Sequence, residues 1–358
     1  MKILHVETGR HFLGGPQQVI YLINALRERG HDNILVCLPN SGIDRVARQA
    51  GIRVQNIFCA GDLDLLFVYR LSQFLKEQIP DVVHCHSRRG ADLLGGLAAS
   101  YAKISAVVSR RVDNTEMHLL AALRYKPFKK IIAISEAIAS VLQENHVESE
   151  RIAIIRSAVD EAVCESKLDY ESFRNEFNID EGMIAIAVAG QLIPRKGHRY
   201  LLQAVAAMKD RNPNFRVVIF GDGYLNNRLR AQAASLELGV AVRFAGYRDD
   251  LDDFIGCFDL FVHPALAEGL GVATLKASAA GVPVVGFDVG GTSEAVDNGK
   301  TGILVTPESV SELQAAIEAL IDNEQLRREF SEAGKVRMKN KFSIAIMAEK
   351  YLELYKSL

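Results

Sequence analysis

Charge of one sign is the first thing this sequence lacks. Its 42 Lys and Arg residues face 44 Asp and Glu residues, a net charge of −2, so bulk composition does not draw the chain to nucleic acid or to an anionic surface. Cysteine is sparse and unpatterned. Cys37, Cys59, Cys85, Cys164 and Cys257 are odd in number and include no C-x-x-C pair, which speaks against a disulfide framework or a zinc site and for a reducing, cytoplasmic setting. Long apolar runs are missing too. The opening Met1-Lys2-Ile3-Leu4-His5-Val6-Glu7 is too short for a signal peptide, and no stretch approaches the roughly 18 residues of a membrane span. The chain is therefore expected to be neither exported nor membrane-spanning. Tandem repeats, low-complexity tracts and heptads are absent, excluding a solenoid or coiled coil. Neither G-x-G-x-x-G nor G-x-x-x-x-G-K-[ST] occurs, which removes the main sequence support for an ordinary NAD-binding domain or a P-loop ATPase.

What is present is length and alternation. With 358 residues, 49% of them apolar, the chain can fill two cores. Short β-branched runs (Ile3–Val6, Ile34–Leu38, Val82–Cys85, Ala106–Val108, Ile131–Ile134, Ile152–Ile155) alternate with segments of helical period such as Pro16–Arg29 and Leu63–Gln78, the pattern of a doubly wound parallel sheet. The alternation breaks in a charged stretch and resumes at Ile184–Ala189, with further strands predicted at Val217–Phe220, Val242–Ala245, Leu260–His263, Val282–Gly286 and Ile303–Val305. The expected architecture is α/β: a Rossmann-like domain over residues 1–160, a linker over 161–181 and a second Rossmann-like domain over 182–342. Two such domains place a ligand at the C-terminal ends of their strands, in a cleft between them.

Several motifs fall at those ends. Gly14-Gly15-Pro16 follows the first strand and opens a helix whose Val19, Leu22, Ile23 and Leu26 share one face. The glycines suit either a tight turn or a backbone approach to an anion. In the second half, Gly190-Gln191-Leu192-Ile193-Pro194-Arg195-Lys196-Gly197 follows a strand with two cations, an arrangement suited to a diphosphate. Two further strand-to-helix passages follow: His263-Pro264-Ala265-Leu266-Ala267-Glu268-Gly269-Leu270-Gly271-Val272-Ala273-Thr274-Leu275-Lys276, and Gly290-Gly291-Thr292-Ser293-Glu294.

In this order, together with Asp81-Val82-Val83-His84-Cys85-His86, Gly221-Asp222-Gly223 and Gly281-Val282-Pro283, these blocks resemble the family 4 retaining glycosyltransferases along nearly the whole chain. The resemblance implies the GT-B fold, two Rossmann-like domains with the C-terminal helix (343–358) packed back on the first. It implies Lys196 and Glu268 as catalytic groups, the first on the donor diphosphate and the second on a donor-sugar hydroxyl. Gly14, Gly15, Gln191, Arg195, Gly246, Tyr247, Arg248, Gly269, Leu270, Gly271, Val272 and Lys276 complete the implied donor site, Gly246 to Arg248 lying beside the base. In the first domain Asp113, offered where the family often has a histidine, is the expected catalytic group, with His86, Arg110 and Arg111 on the acceptor side. The donor is a nucleoside-diphosphate sugar of UDP, GDP or ADP type, with no metal or other cofactor required and no nucleic acid partner.

Three positions depart from the family. Lys276 stands where a second glutamate normally accepts from ribose hydroxyls, and an ammonium can only donate. Gln191 replaces a common arginine. The strand Val107-Val108-Ser109-Arg110-Arg111-Val112-Asp113 lacks a frequent histidine. Asp62-Leu63-Asp64 has metal-binding spacing but opens a helical segment, where carboxylates serve as caps. His84 and His86 share a strand face, which admits a two-histidine metal site; the favoured reading makes His86 a polar contact and His84 structural. Lys103, Arg110, Arg111, Arg124, Lys126, Lys129 and Lys130 face only Asp113 and Glu116, a basic patch that reads either as a solvated helix face or as contact with the anionic inner face of a membrane. The expected activity is glycosyl transfer to a glycan or lipid-linked acceptor such as a lipopolysaccharide core. Two rivals stand beside it, a non-catalytic nucleotide-sugar-binding protein and a GT-B epimerase or phosphorylase.

Overall fold

The computed structural model describes residues 1–88, 90–113, 118–160 and 169–358. The chain divides into two compact units, Met1–Ala158 with Ile344–Leu358, and Val159–Ser343. Cys164, Glu116 and the first eight residues of the expected linker, 161–168, lie outside the described residues.

In the first unit, β1 (Lys2–Glu7), β2 (Asp32–Cys37), β3 (Arg53–Asn56), β4 (Val82–Cys85), β5 (Ala106–Arg110), β6 (Lys130–Ala133) and β7 (Ile152–Ile154) form one seven-stranded sheet in the order β3-β2-β1-β4-β5-β6-β7. Every pairing is parallel. The central strands are apolar runs rather than alternating ones because helices cover both sheet faces. The helix Gly14–Glu28 buries Val19, Leu22, Ile23 and Leu26. The last helix, Ile344–Lys356, repeats apolar residues at helical spacing, and its Met347, Ala348, Tyr351, Leu352 and Tyr355 join Ile3, Leu22, Val82, Val107 and Ile132 in one core cluster.

The second unit contains β8 (Ile184–Ala189), β9 (Phe215–Phe220), β10 (Val242–Gly246), β11 (Leu260–His263), β12 (Val284–Phe287) and β13 (Gly302–Val305), in the order β10-β9-β8-β11-β12-β13 and again all parallel. The expected linker is corrected here. Residues Tyr170–Phe177 are a helix capped by the Asp169 side chain, and Phe173 and Phe177, four apart and so on one face, are buried against Phe254 and Phe258. Its charged residues are the outer face of an amphipathic helix. In both units the order reverses beside the first strand, between β1 and β4 and between β8 and β11. Open α/β sheets of this kind take their ligands at that reversal, at the C-terminal strand ends.

Candidate active site

The second unit carries the more complete constellation, at the ends of β8 and β11. After β8 the chain makes a single turn, Pro194–Lys196, and Gly197 takes a left-handed conformation (φ 67°) before the helix His198–Met208. A Cβ on Gly197 would overlap the carbonyl oxygen of Pro264, so only glycine lets this turn lie against the loop that follows β11. The two loops are also tied by Leu266 N–H donating to Arg195 O at 2.7 Å. That seam sets Lys196 beside Glu268, and the two form an ion pair with side chains only 14% and 12% exposed.

Glu268 Oε2 receives a second hydrogen bond, from His263 Nε2 at 3.1 Å. Burial would raise the Glu268 carboxyl, but the His263 hydrogen bond and the Lys196 charge outweigh it and hold the group well below the usual carboxylate range. His263 closes β11, is 3% exposed, and is lowered mainly by burial. It is therefore a neutral N–H donor to an ionised acceptor, not a charged partner. Next to this cluster His198 is buried with both ring nitrogens unpartnered, its pKa pushed down to about 4 by burial and by Lys196. Gly271 (φ 84°) caps the helix Val272–Ala279, leaving the amides around Leu270, Gly271 and Val272 at a helix N-terminus, where an anion is favoured. One edge of the second unit thus offers an ammonium, an oriented carboxylate and a helix N-terminus, a set suited to a sugar diphosphate.

The remaining donor-site residues divide. Gln191 and Arg195 are exposed at the turn, and Arg195 Nη1 lies 3.4 Å from Ala267 O. Gly246 (φ 76°) ends β10, and Tyr247 is 61% exposed. Arg248 is corrected: its guanidinium is bidentate on Asp250 at 2.6 Å, paired with Glu176 and stacked on Phe254. It clamps the Tyr170–Phe177 helix to the loop after β10, and all its main donors are in use there. Lys276 is paired with Asp252 at 2.6 Å, so the ammonium that departs from the family pattern arrives with its own carboxylate. Asp252 gives no signal in the sequence, being one of four aspartates between positions 249 and 253.

The first unit holds polar groups at the ends of β1, β4 and β5. Gly14 and Gly15 are the first turn of their helix, and a Cβ on Gly15 would sit 3.5 Å from the Arg111 chain. Arg111 is half-buried and reaches Ser157 Oγ at 3.5 Å. Asp113 is half-buried two residues on. Arg110 is corrected from the acceptor surface to the interior: it is buried, and its Nε donates to Val112 O. The basic patch shrinks for the same reason. Arg110 is internal, Arg124 is paired with buried Asp92, and the exposed cations that remain are Lys103, Lys126 and Lys129. Asp64 caps the helix Leu65–Gln78 through Phe67 N–H at 3.0 Å, which accounts for the D-x-D spacing without a metal.

His5, His84 and His86 are buried together, with a nitrogen of each within 4.8 Å of the others. Asn33 Nδ2 donates to His31 O, so its Oδ1 must accept from His5 Nε2–H at 3.0 Å. His5 Nδ1 is then a lone pair and takes the proton of His86 Nε2 at 2.9 Å. His84 is occupied by Tyr355 and Ser109 hydroxyls at 2.6 and 2.8 Å. Only His86 Nδ1 is left without a partner, so the group is a hydrogen-bonded core network, not a set of free metal ligands. Burial lowers His5 to about 4 and His84 and His86 well below the ordinary value. The folded state thus refuses protons that the unfolded chain accepts near pH 6.5, and stability is full above that pH and lost as pH falls toward 4, by about 1.4 kcal/mol per pH unit for each ring. The urea midpoint is expected to drop steeply between pH 7 and 5; a midpoint unchanged over that interval rejects this account.

Comparison with known proteins agrees with the geometry. Residues 169–337 match the family described as Glycosyl transferases group 1, and residues 14–163 match Glycosyltransferase Family 4. The lipopolysaccharide core biosynthesis glycosyltransferase LpsE of Rhizobium meliloti (strain 1021) is 26% identical over 363 residues, covering 100% of this chain and 99% of that one. An Escherichia coli UDP-Gal:alpha-D-GlcNAc-diphosphoundecaprenol alpha-1,3-galactosyltransferase is 24% identical over 82% of this chain and 79% of its own. Among solved structures, Anabaena HepE in complex with UDP superimposes with a TM-score of 0.89 at 21% identity, over 100% of both chains. Two parallel sheets with this strand order, the Lys196–Glu268 pair beyond the C-terminal strand ends of the second, and family matches to both halves make this chain an enzyme of glycosyltransferase family 4, with the GT-B fold.

Proposed function

We propose that the chain transfers a hexosyl unit from a UDP-sugar to a hydroxyl of a cell-envelope glycan, a lipopolysaccharide core or a lipid-linked oligosaccharide, with retention of anomeric configuration. The observation that carries this reading is the Lys196–Glu268–His263 cluster beside the N-terminus of Val272–Ala279. The UDP bound by HepE, the lipopolysaccharide core named for LpsE, and the UDP-Gal and diphosphoundecaprenol-linked sugar named for the galactosyltransferase support the donor and acceptor classes. Lys196 and the amides around Gly271 stabilise charge on the diphosphate as the bond from the anomeric carbon to the phosphate oxygen lengthens. Glu268 holds a sugar hydroxyl. The acceptor oxygen forms its bond on the same face, and its proton passes to the departing phosphate oxygen. Gly14 and Gly15 of the first unit face the donor in this reading, Arg111 and Asp113 take the acceptor side, His86 is withdrawn from it because it is buried in the histidine network, and no metal enters the reaction.

No helix among the described residues is long and apolar enough to cross a membrane. Contact with the inner membrane face, where a lipid-linked acceptor is met, falls in this reading to Lys103, Lys126 and Lys129, each contributing about 1 kcal/mol near an anionic leaflet.

The test is thermal stabilisation by UDP, GDP, ADP and CDP with and without chelator, for wild type and Lys196→Ala. A ligand at 100 times its Kd adds about 2.7 kcal/mol. UDP alone should stabilise the protein, chelator should leave the shift in place, and Lys196→Ala should abolish it. No shift with any of the four nucleotides removes the donor assignment.

A further inference from the structure

Lys196 and His263 converge on a single oxygen, Glu268 Oε2. The two anchors differ in kind. Lys196 sits on a one-turn segment at the end of four rotatable bonds, and its ammonium is the group a diphosphate attracts. His263 is fixed. It is the last residue of β11, paired in register with Gly286 of β12, and its ring lies parallel to Phe261 at 6.4 Å. A Cβ on Gly286 would press on the His263 carbonyl oxygen at 2.9 Å and on the His263 Cβ at 3.5 Å, so the backbone beneath the ring is packed on that side as well.

When a donor diphosphate takes Lys196, Glu268 loses the stronger of its two restraints. We infer that His263 is the positioning residue that keeps Glu268 aimed at that moment: its Nε2–H retains Oε2 and turns the free oxygen, Oε1, toward the sugar hydroxyl. A neutral N–H suits this task better than a second cation. It orients the carboxylate without neutralising it and without competing for phosphate. His263 then contributes to recognition of the sugar and not to recognition of the nucleotide.

This inference rests on the UDP-sugar reading above, and the experiment separates the two. Affinities for UDP and UDP-glucose are measured by calorimetry for wild type, His263→Leu, His263→Asn and His263→Gln. Glutamine carries its amide N–H near the Nε2 position, whereas asparagine ends at the Nδ1 position and leucine has no N–H. All four proteins should bind UDP within about twofold of one another. The extra affinity of UDP-glucose over UDP should fall about tenfold in the leucine and asparagine variants and return in the glutamine variant, the loss of one hydrogen bond to a charged group. Equal weakening toward both ligands, or an unchanged ratio in leucine and asparagine variants, overturns the role of His263. A wild-type protein that binds neither ligand overturns the UDP-sugar reading instead. The asparagine variant keeps a polar, smaller side chain at this buried position and serves where leucine disturbs folding.

Discussion

Glu268→Gln is expected to bind UDP at least as tightly as wild type while transferring sugar about 10- to 150-fold more slowly. The two effects have one cause. In the unliganded protein the Lys196 ammonium is held by the Glu268 carboxylate, so a diphosphate must take the cation from an existing partner. Glutamine removes that competition and leaves Lys196 free for phosphate. It also replaces a charged acceptor by a neutral one at the sugar hydroxyl, where a hydrogen bond to a charged group is worth about 1.5–3 kcal/mol. Calorimetry with UDP and a transfer assay with UDP-sugar read the two effects separately. If UDP binding weakens tenfold in Glu268→Gln, the carboxylate is a prop for Lys196 and its assignment to the sugar fails.

Gly197→Ala should be the most damaging single methyl group in the second unit. The residue occupies the left-handed region, which costs an L-residue about 1–2 kcal/mol, and the added Cβ would overlap the backbone of Pro264. Backbone cannot rotate aside as a side chain can, so the two loops must part, adding the 1–3 kcal/mol typical of overpacking. The seam between Arg195 and Leu266 opens with them, and Lys196 no longer meets Glu268. A fall in melting temperature of about 5–15 °C and loss of UDP stabilisation are expected together. Gly239→Ala is the control, because a Cβ there has nothing within 4 Å. Equal behaviour of the two variants would show that the turn does not need its glycine.

The fold was legible because its strands are continuous apolar runs separated by helical periods, a pattern that depends on local sequence alone. Where an element failed to show, its charges hid it: Phe173 and Phe177 are two apolar residues in an otherwise polar helix, Tyr170–Phe177, and only the aromatic cluster they join explains why the helix forms. Lys196 was legible as a cation in the glycine-bearing loop after a strand, and Glu268 through the resemblance of its loop to the family's. Their mutual contact was not, since 72 residues separate them. His263 closes an apolar strand and so reads as core, which it also is. Arg248 and Arg110 show the opposite error. A cation near a strand end suggests a ligand, yet Arg248 is used up by Asp250 and Glu176, and Arg110 is buried with its Nε on a backbone carbonyl. Which partner an arginine finds is decided by tertiary proximity, which no spacing rule reports.

The chain leaves the first unit at Ala158 and re-enters it at Ile344, and at the crossing Val159 pairs with Ser343. The first unit is therefore not a contiguous stretch of sequence. Tyr351 and Tyr355, which pack beneath its sheet and hold Ser109 and His84, are synthesised only after the whole of the second unit. While the ribosome is still making the second unit, the first must wait with an uncovered apolar face and with His84 and Ser109 lacking their tyrosine partners. The second unit, complete by Ser343, has all its own parts before the first does. The half whose translation starts first is thus completed only after the half that follows it.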